Sequence, residues 1–224
     1  MIIGATVLIL IAKEFIDKDK RETNTRSQNI AYSAVFAALI VLLSTMMRQI
    51  AFPPVIPGVL DAAFILLIIV AVASIACGFW VGLATAFTFG LMSFITSFTN
   101  PTALAPVFNN PLVSVLPRIC MGFTIYFAYR LMNKLLKDKG NKGDKVKSYV
   151  RIGVAAGVGA LTNTALVLGS MALIYGGRVI GGTALTAEFF TWILTFVGSL
   201  EFVATALLTP PIVYAIGRAT RRSL

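Results

Sequence analysis

Histidine is absent from this 224-residue chain, and there are only two cysteines. Zinc and most transition-metal centres draw on those two residue types. Cys77 and Cys120 stand far apart without ligand spacing and read as packing residues. No apolar run holds two acids, so the paired carboxylates of acid–base chemistry are missing. Serines are scattered without an adjacent base, and no glycine-rich loop runs into Lys-Ser or Lys-Thr. The chain therefore cannot hydrolyse ATP by itself, and its composition argues against an enzyme. Charge is scarce as well, at 12% of residues against about 25% in soluble domains.

What the chain has in abundance is apolar surface: 58% hydrophobic residues and a mean hydropathy of +0.87. It is an integral membrane protein by composition. Six runs approach the roughly 20 residues needed to cross a bilayer, at residues 30–47, 59–76, 80–97, 111–132, 150–175 and 189–216. The expected fold is an all-α six-transmembrane-helix bundle. Only Cys77, Gly78 and Phe79 separate the second run from the third, a tight turn. Pro210-Pro211 are expected to end or bend the sixth.

A net charge of +10 with a pI near 10 suits nucleic acid or a membrane orientation signal. The distribution decides for the second. Sixteen Lys and Arg residues lie before the first run, between the fourth and fifth, and after the sixth, whereas Arg48 and Arg178 alone occupy the alternate loops. By the positive-inside bias both termini and the long basic connection are cytoplasmic, and no nucleic-acid partner is expected. Residues 1–12 are apolar but would span only about 18 Å as a helix, which favours a surface-lying or re-entrant segment over a seventh span. The external loops carry Phe52-Pro53-Pro54, Pro57 and Gly58, then Asn100-Pro101, Pro106 and Phe108-Asn109-Asn110, then Gly176-Gly177, Gly181-Gly182 and Glu188. Prolines restrict the first two and glycines leave the third adaptable, the makings of a lid over a cavity.

Polar residues inside or bordering the runs are few: Asp61, Arg118, Asn163, Thr164 and Glu201. A charge at Arg118's depth costs about 2.5–3.5 kcal/mol on insertion scales, and such charges mark partners, cavities or ligands. Arg118 lies about 12 Å along its helix from Asn110, and Asn163 about 19 Å from the external end of its own. Asn110, Ser114 and Arg118 recur every four residues and share one face. Pro117 frees a carbonyl on that side. Two readings stand together here. Arg118 and Glu201 neutralise one another with Asn163 as a bridge, or Arg118 meets an anionic or carbonyl group of a small solute that Asn163 and Asn110 orient. Phe52, Phe108, Phe189, Phe190 and Trp192 sit at the external rim, where interfacial anchoring explains them as well as ligand stacking. Small residues recur at helix spacing in Ala34/Ala38, Gly82/Ala86/Gly90 and Gly153/Gly157, which lets helices approach closely in lipid.

The Asn110-Pro111-Leu112-Val113-Ser114-Val115-Leu116-Pro117-Arg118 run resembles the substrate-binding S component of energy-coupling factor vitamin transporters. So do the Ala34-Val35-Phe36-Ala37-Ala38 helix, the Asn163-Thr164 step, and the course from Glu201 to Pro211. The resemblance covers about residues 26–218 and is greatest to the pantothenate group; the Met1–Ala12 segment is not part of it. It implies a vitamin-binding domain over 30–218, after an N-terminal segment 1–29 and before a basic tail 219–224. It implies Asn110, Ser114, Arg118, Asn163, Glu201 and Phe108 about the vitamin. It also implies Ala34 and Ala38 as the docking face for a transmembrane coupling protein with two ATP-binding subunits. No cofactor is expected on this chain, because ATP is hydrolysed by those partners. Arg118 suits pantothenate's carboxylate, and two tryptophans argue mildly against a large stacked ring such as riboflavin; pyridoxine, hydroxymethylpyrimidine or riboflavin remain as other substrates. An ion-coupled secondary transporter is the competing class. It would use Glu201 as a coupling residue and show inverted repeats, and no repeat relates runs one to three with four to six.

Overall fold

The computed structural model describes residues 26–49, 63–99, 104–136 and 144–219. The 1–12 segment, Asp61, the Phe52–Gly58 loop and residues 137–143 of the basic connection lie outside these. The elements are α1 (Arg26–Gln49), α2 (Ala63–Ala76), α3 (Phe79–Thr99), α4 (Ala105–Phe108), α5 (Pro111–Ser114), α6 (Leu116–Leu135), α7 (Asp144–Tyr175), a hairpin of β1 (Val179–Ile180) and β2 (Thr183–Ala184), and α8 (Ala187–Ala219). Among them, five stretches are long and apolar enough to cross a membrane, the third being α5 and α6 taken together.

The sixth apolar element is α2, whose described residues, AFILLIIVAVASIA, have no polar side. A helix apolar all round belongs inside. Residues 66–75 are all buried, and α2 touches each of the five long helices. The remaining helices pack in chain order around it: α1 on α3, α3 on α6, α6 on α7, α7 on α8. Gly78, at φ 96°, turns the chain from α2 into α3 as the Cys77-Gly78-Phe79 spacing requires.

Small residues set the close crossings. A Cβ on Gly82 would lie 2.3 Å from Ser74 Oγ of α2, one on Gly122 would lie 2.9 Å from Ala86 Cβ, and one on Gly90 would lie 3.0 Å from Val115 Cα. The stripe on α3 is thus internal packing. On α7, Gly153 faces the carbonyl of Ala206 and Gly157 the ring of Phe202. The Ala206 carbonyl is one that Pro210 cannot satisfy, because proline has no N–H to return to it. Of the two outcomes expected at these prolines, an end is excluded: α8 runs through Pro210 and Pro211 to Ala219. Packing on α2 and α7 holds it as a helix, as neighbouring helices do for proline in membranes.

The glycine-rich connection between α7 and α8 forms a hairpin. Gly181 and Gly182 both take positive φ, 57° and 81°, the turn that two-residue hairpins favour. It pairs Ile180 with Thr183 and Val179 with Ala184. This short ribbon stands beside the helices among the described residues, and the all-α class holds. Leu185, just after it, is 1% exposed, tied by Gly177 N–H to Leu185 O and Leu185 N–H to Arg178 O, each at 3.0 Å.

Candidate functional site

Two apolar cores divide the bundle. The larger joins α2 to Phe89, Met121, Ile125, Ile152 to Ala160 of α7, and Val213. The smaller gathers Leu104, Val107 and Val113 with Val167, Leu168 and Met171 of α7, Leu185, and Ile193 and Val197 of α8. Both clusters skip the same level of the helices. On α7 the gap contains Asn163 and Thr164, on α8 Glu201, and between Val113 and Met121 it contains Ser114 and Arg118. A polar layer therefore lies between two greasy halves, about 18 Å from Tyr175 along α7 and about 21 Å from Ala187 along α8.

Arg118 enters this layer through a helix break. α5 ends at Ser114, Val115 adopts φ −99° and ψ −48°, and α6 starts at Leu116. The expected single helix from residue 111 is thus two helices. Asn110 caps the first, its Oδ1 accepting from Leu112 N–H at 3.0 Å. Ser114, fully buried, donates its hydroxyl to Asn110 O at 3.1 Å. The carbonyl that Pro117 leaves free in an α-helix is that of Val113, and Arg118 Nη1 donates to it at 2.7 Å. The sequence expectation of an acceptor beside Arg118 is met by that atom.

The guanidinium also lies 5.5 Å from the ring centroids of both Phe89 and Phe108, within cation–π range. One ring belongs to the larger core and the other packs on the smaller, so Arg118 is held where the two meet. It is 7% exposed, and its Nε, buried, has no hydrogen-bond partner.

Glu201 does not close an ion pair with Arg118. No N···O contact within 4.0 Å joins the two. Glu201 Oε2 instead accepts a short hydrogen bond from Thr164 Oγ1, whose single proton is then not available to Ala160 O, 3.1 Å away. The carboxylate is thus held by Thr164, and no hydrogen bond of Asn163 joins Arg118 to Glu201 among the described residues. Asn163 is 7% exposed, and its Oδ1 is buried without a partner. The layer therefore holds one buried donor lacking an acceptor and one buried acceptor lacking a donor. Each such atom costs about 1–3 kcal/mol.

Sequence reasoning missed Phe89, the second ring on Arg118; its only signal is the adjacent Gly90, where Val115 comes close. It missed Leu185 as a buried plug, although Gly-Gly between two short β-prone pairs is a hairpin signal. Phe189 and Phe190 pack on the smaller core, whereas Trp192 is exposed and stacks on Phe196 at 5.6 Å. Ala34 and Ala38 lie on the exposed side of α1 with Ile30, Val35, Leu39 and Leu42.

An apolar helical bundle with a charged layer sealed between two cores has the features of a membrane protein that takes a small polar solute. The family described as "ECF transporter, substrate-specific component" matches residues 28–213, and the chain belongs to that family. Over 217 residues it is 26% identical to the "Pantothenic acid transporter PanT" of Lactococcus lactis subsp. cremoris (strain MG1363), a match covering 89% of this chain and 98% of that protein. The chain is accordingly a multi-pass protein of the cell membrane, and its family is a transporter component rather than an enzyme.

Proposed function

We propose that this chain is the pantothenate-binding S component of an ATP-driven importer. The observation that carries the reading is Arg118, a buried guanidinium between two rings with an unused donor. A carboxylate would meet it through charge-assisted hydrogen bonds. At the opposite sense of the layer, Asn163 Oδ1 would accept from the amide or a hydroxyl of the same ligand. Glu201, held by Thr164, is a second acceptor for hydroxyls. Phe108 flanks the carboxylate, and Asn110 and Ser114 shape the turn above it. The naming of a pantothenic acid transporter among the relatives agrees with that chemistry.

The same reading sets a six-span bundle with both termini and the basic connections in the cytoplasm. The capping hairpin, α4 and α5 then face outward over the site. Ala34 and Ala38, small residues on an exposed apolar helix face, would receive the coupling protein, which brings two ATP-binding subunits. The chain itself needs no cofactor.

Calorimetric titration of the detergent-purified chain with pantothenate, pyridoxine, hydroxymethylpyrimidine and riboflavin tests this. One-to-one tight binding of pantothenate alone is expected. Tight binding of another vitamin replaces the substrate and keeps the class. No binding to any, with uptake by the chain alone into liposomes under an ion gradient, replaces the class with a secondary transporter.

A further inference from the structure

Arg118 has five N–H groups to place in a site with few acceptors. One of them is spent on a main-chain carbonyl of the preceding short helix. In a continuous helix that carbonyl would belong to the N–H four residues on, at position 117. Position 117 is proline, buried at the second position of α6, so no N–H competes for Val113 O. The same residue accounts for the break at Val115, because its ring cannot share space with the carbonyl four residues back. Arg118 therefore reaches back into the gap that its neighbour opens, and this sets the guanidinium between Phe89 and Phe108 with Nε left over.

We infer that Pro117 is the positioning residue for Arg118: by withholding an N–H from Val113 O, it reserves that carbonyl as the anchor that fixes the guanidinium, and so fixes the direction from which an anionic ligand is received. The inference deepens the proposed function and rests on it for the ligand, but the anchoring itself does not depend on which ligand is bound. An alanine at 117 would supply the missing N–H, take the Val113 carbonyl, and draw α5 into line with α6. Alanine is a better helix former than proline, so this change is expected to leave thermal stability equal or higher while loosening Arg118. A role for Pro117 in stability alone predicts the reverse.

The test uses three versions of the full chain: the native protein, Pro117→Ala, and a version with the α-hydroxy analogue of alanine at 117. The last leaves a backbone ester without an N–H. Each is labelled with guanidinium-15N arginine, and the Arg118 resonances are assigned by their loss in Arg118→Lys. In the ligand-free native protein, Nη1 and Nη2 of Arg118 are expected as separate signals, held by the Val113 bond. They are expected to merge through rotation in Pro117→Ala and to separate again in the ester. Pantothenate titration should show about tenfold weaker binding in Pro117→Ala, the worth of one hydrogen bond to a charged group, with recovery in the ester. Unchanged Arg118 signals in Pro117→Ala would overturn the inference, as would native affinity in that variant. If the native chain binds no pantothenate while the arginine signals behave as expected, the ligand reading fails and the anchoring stands.

Discussion

Replacing Arg118 with methionine removes the charge while keeping a flexible apolar side chain of similar reach. In the unliganded protein, the losses are one charge-assisted hydrogen bond to Val113 O, worth about 1.5–3 kcal/mol, and contacts with two rings, worth about 0.5–2 kcal/mol. Against them stands relief from burying a cation, itself several kcal/mol. These contributions are of similar size and opposite sign, so the unfolding midpoint should move little. Binding should not be so forgiving. Truncating one partner of a buried charged pair costs about 2–5 kcal/mol, which is about 30- to 5,000-fold in Kd at 1.4 kcal/mol per decade. The discriminating assay is a calorimetric cycle of native and Arg118→Met proteins against pantothenate and its primary-alcohol analogue, which lacks the carboxylate. If Arg118 meets the carboxylate, the substitution costs far more with pantothenate than with the alcohol. Equal losses for the two ligands, with a coupling below about 0.5 kcal/mol, would refute the assignment of that group to Arg118.

Gly153→Ala sets a Cβ 2.8 Å from the Ala206 carbonyl and should cost about 1–3 kcal/mol of stability in thermal unfolding. Gly169→Ala, with nothing within 4 Å, should be neutral or stabilising by up to about 1 kcal/mol. Thr164→Val deletes the hydroxyl that donates to Glu201. It should lower stability by about 1–3 kcal/mol, and Thr164→Ser should recover most of the loss. Ala34→Trp and Ala38→Trp lie on an exposed face, so ligand affinity and unfolding should be unchanged. Uptake by the chain reconstituted with its coupling protein and ATP-binding subunits should be abolished. Leu185→Ala, at a residue 1% exposed beneath the hairpin, should speed hydrogen exchange at the Gly177 and Leu185 amides while leaving α2 protected.

The sequence by itself determined what local spacing and composition can determine. Apolar runs gave the long helices, and Cys77-Gly78-Phe79 gave the α2–α3 turn. Pro117 and Arg118 are adjacent, so the freed carbonyl and the buried cation were legible before any fold was known, whereas the cap at Asn110 was not read. The tertiary structure alone decided which sides of the helices meet. In lipid the exterior is as apolar as the interior, so α8, exposing Leu200, Val203 and Leu207, carries no periodic signal of its inner side. That is why Phe89 as a wall of the Arg118 site was not foreseen. It is also why the bond from Glu201 went to Thr164 rather than towards Arg118 through Asn163: one residue along a helix turns a side chain by about 100°, and only the docking of α8 on α7 selects which neighbour the carboxylate meets. The central place of α2 and the continuation of α8 past two prolines follow from the same cause. Both rest on packing between segments distant in the chain, which local spacing does not encode.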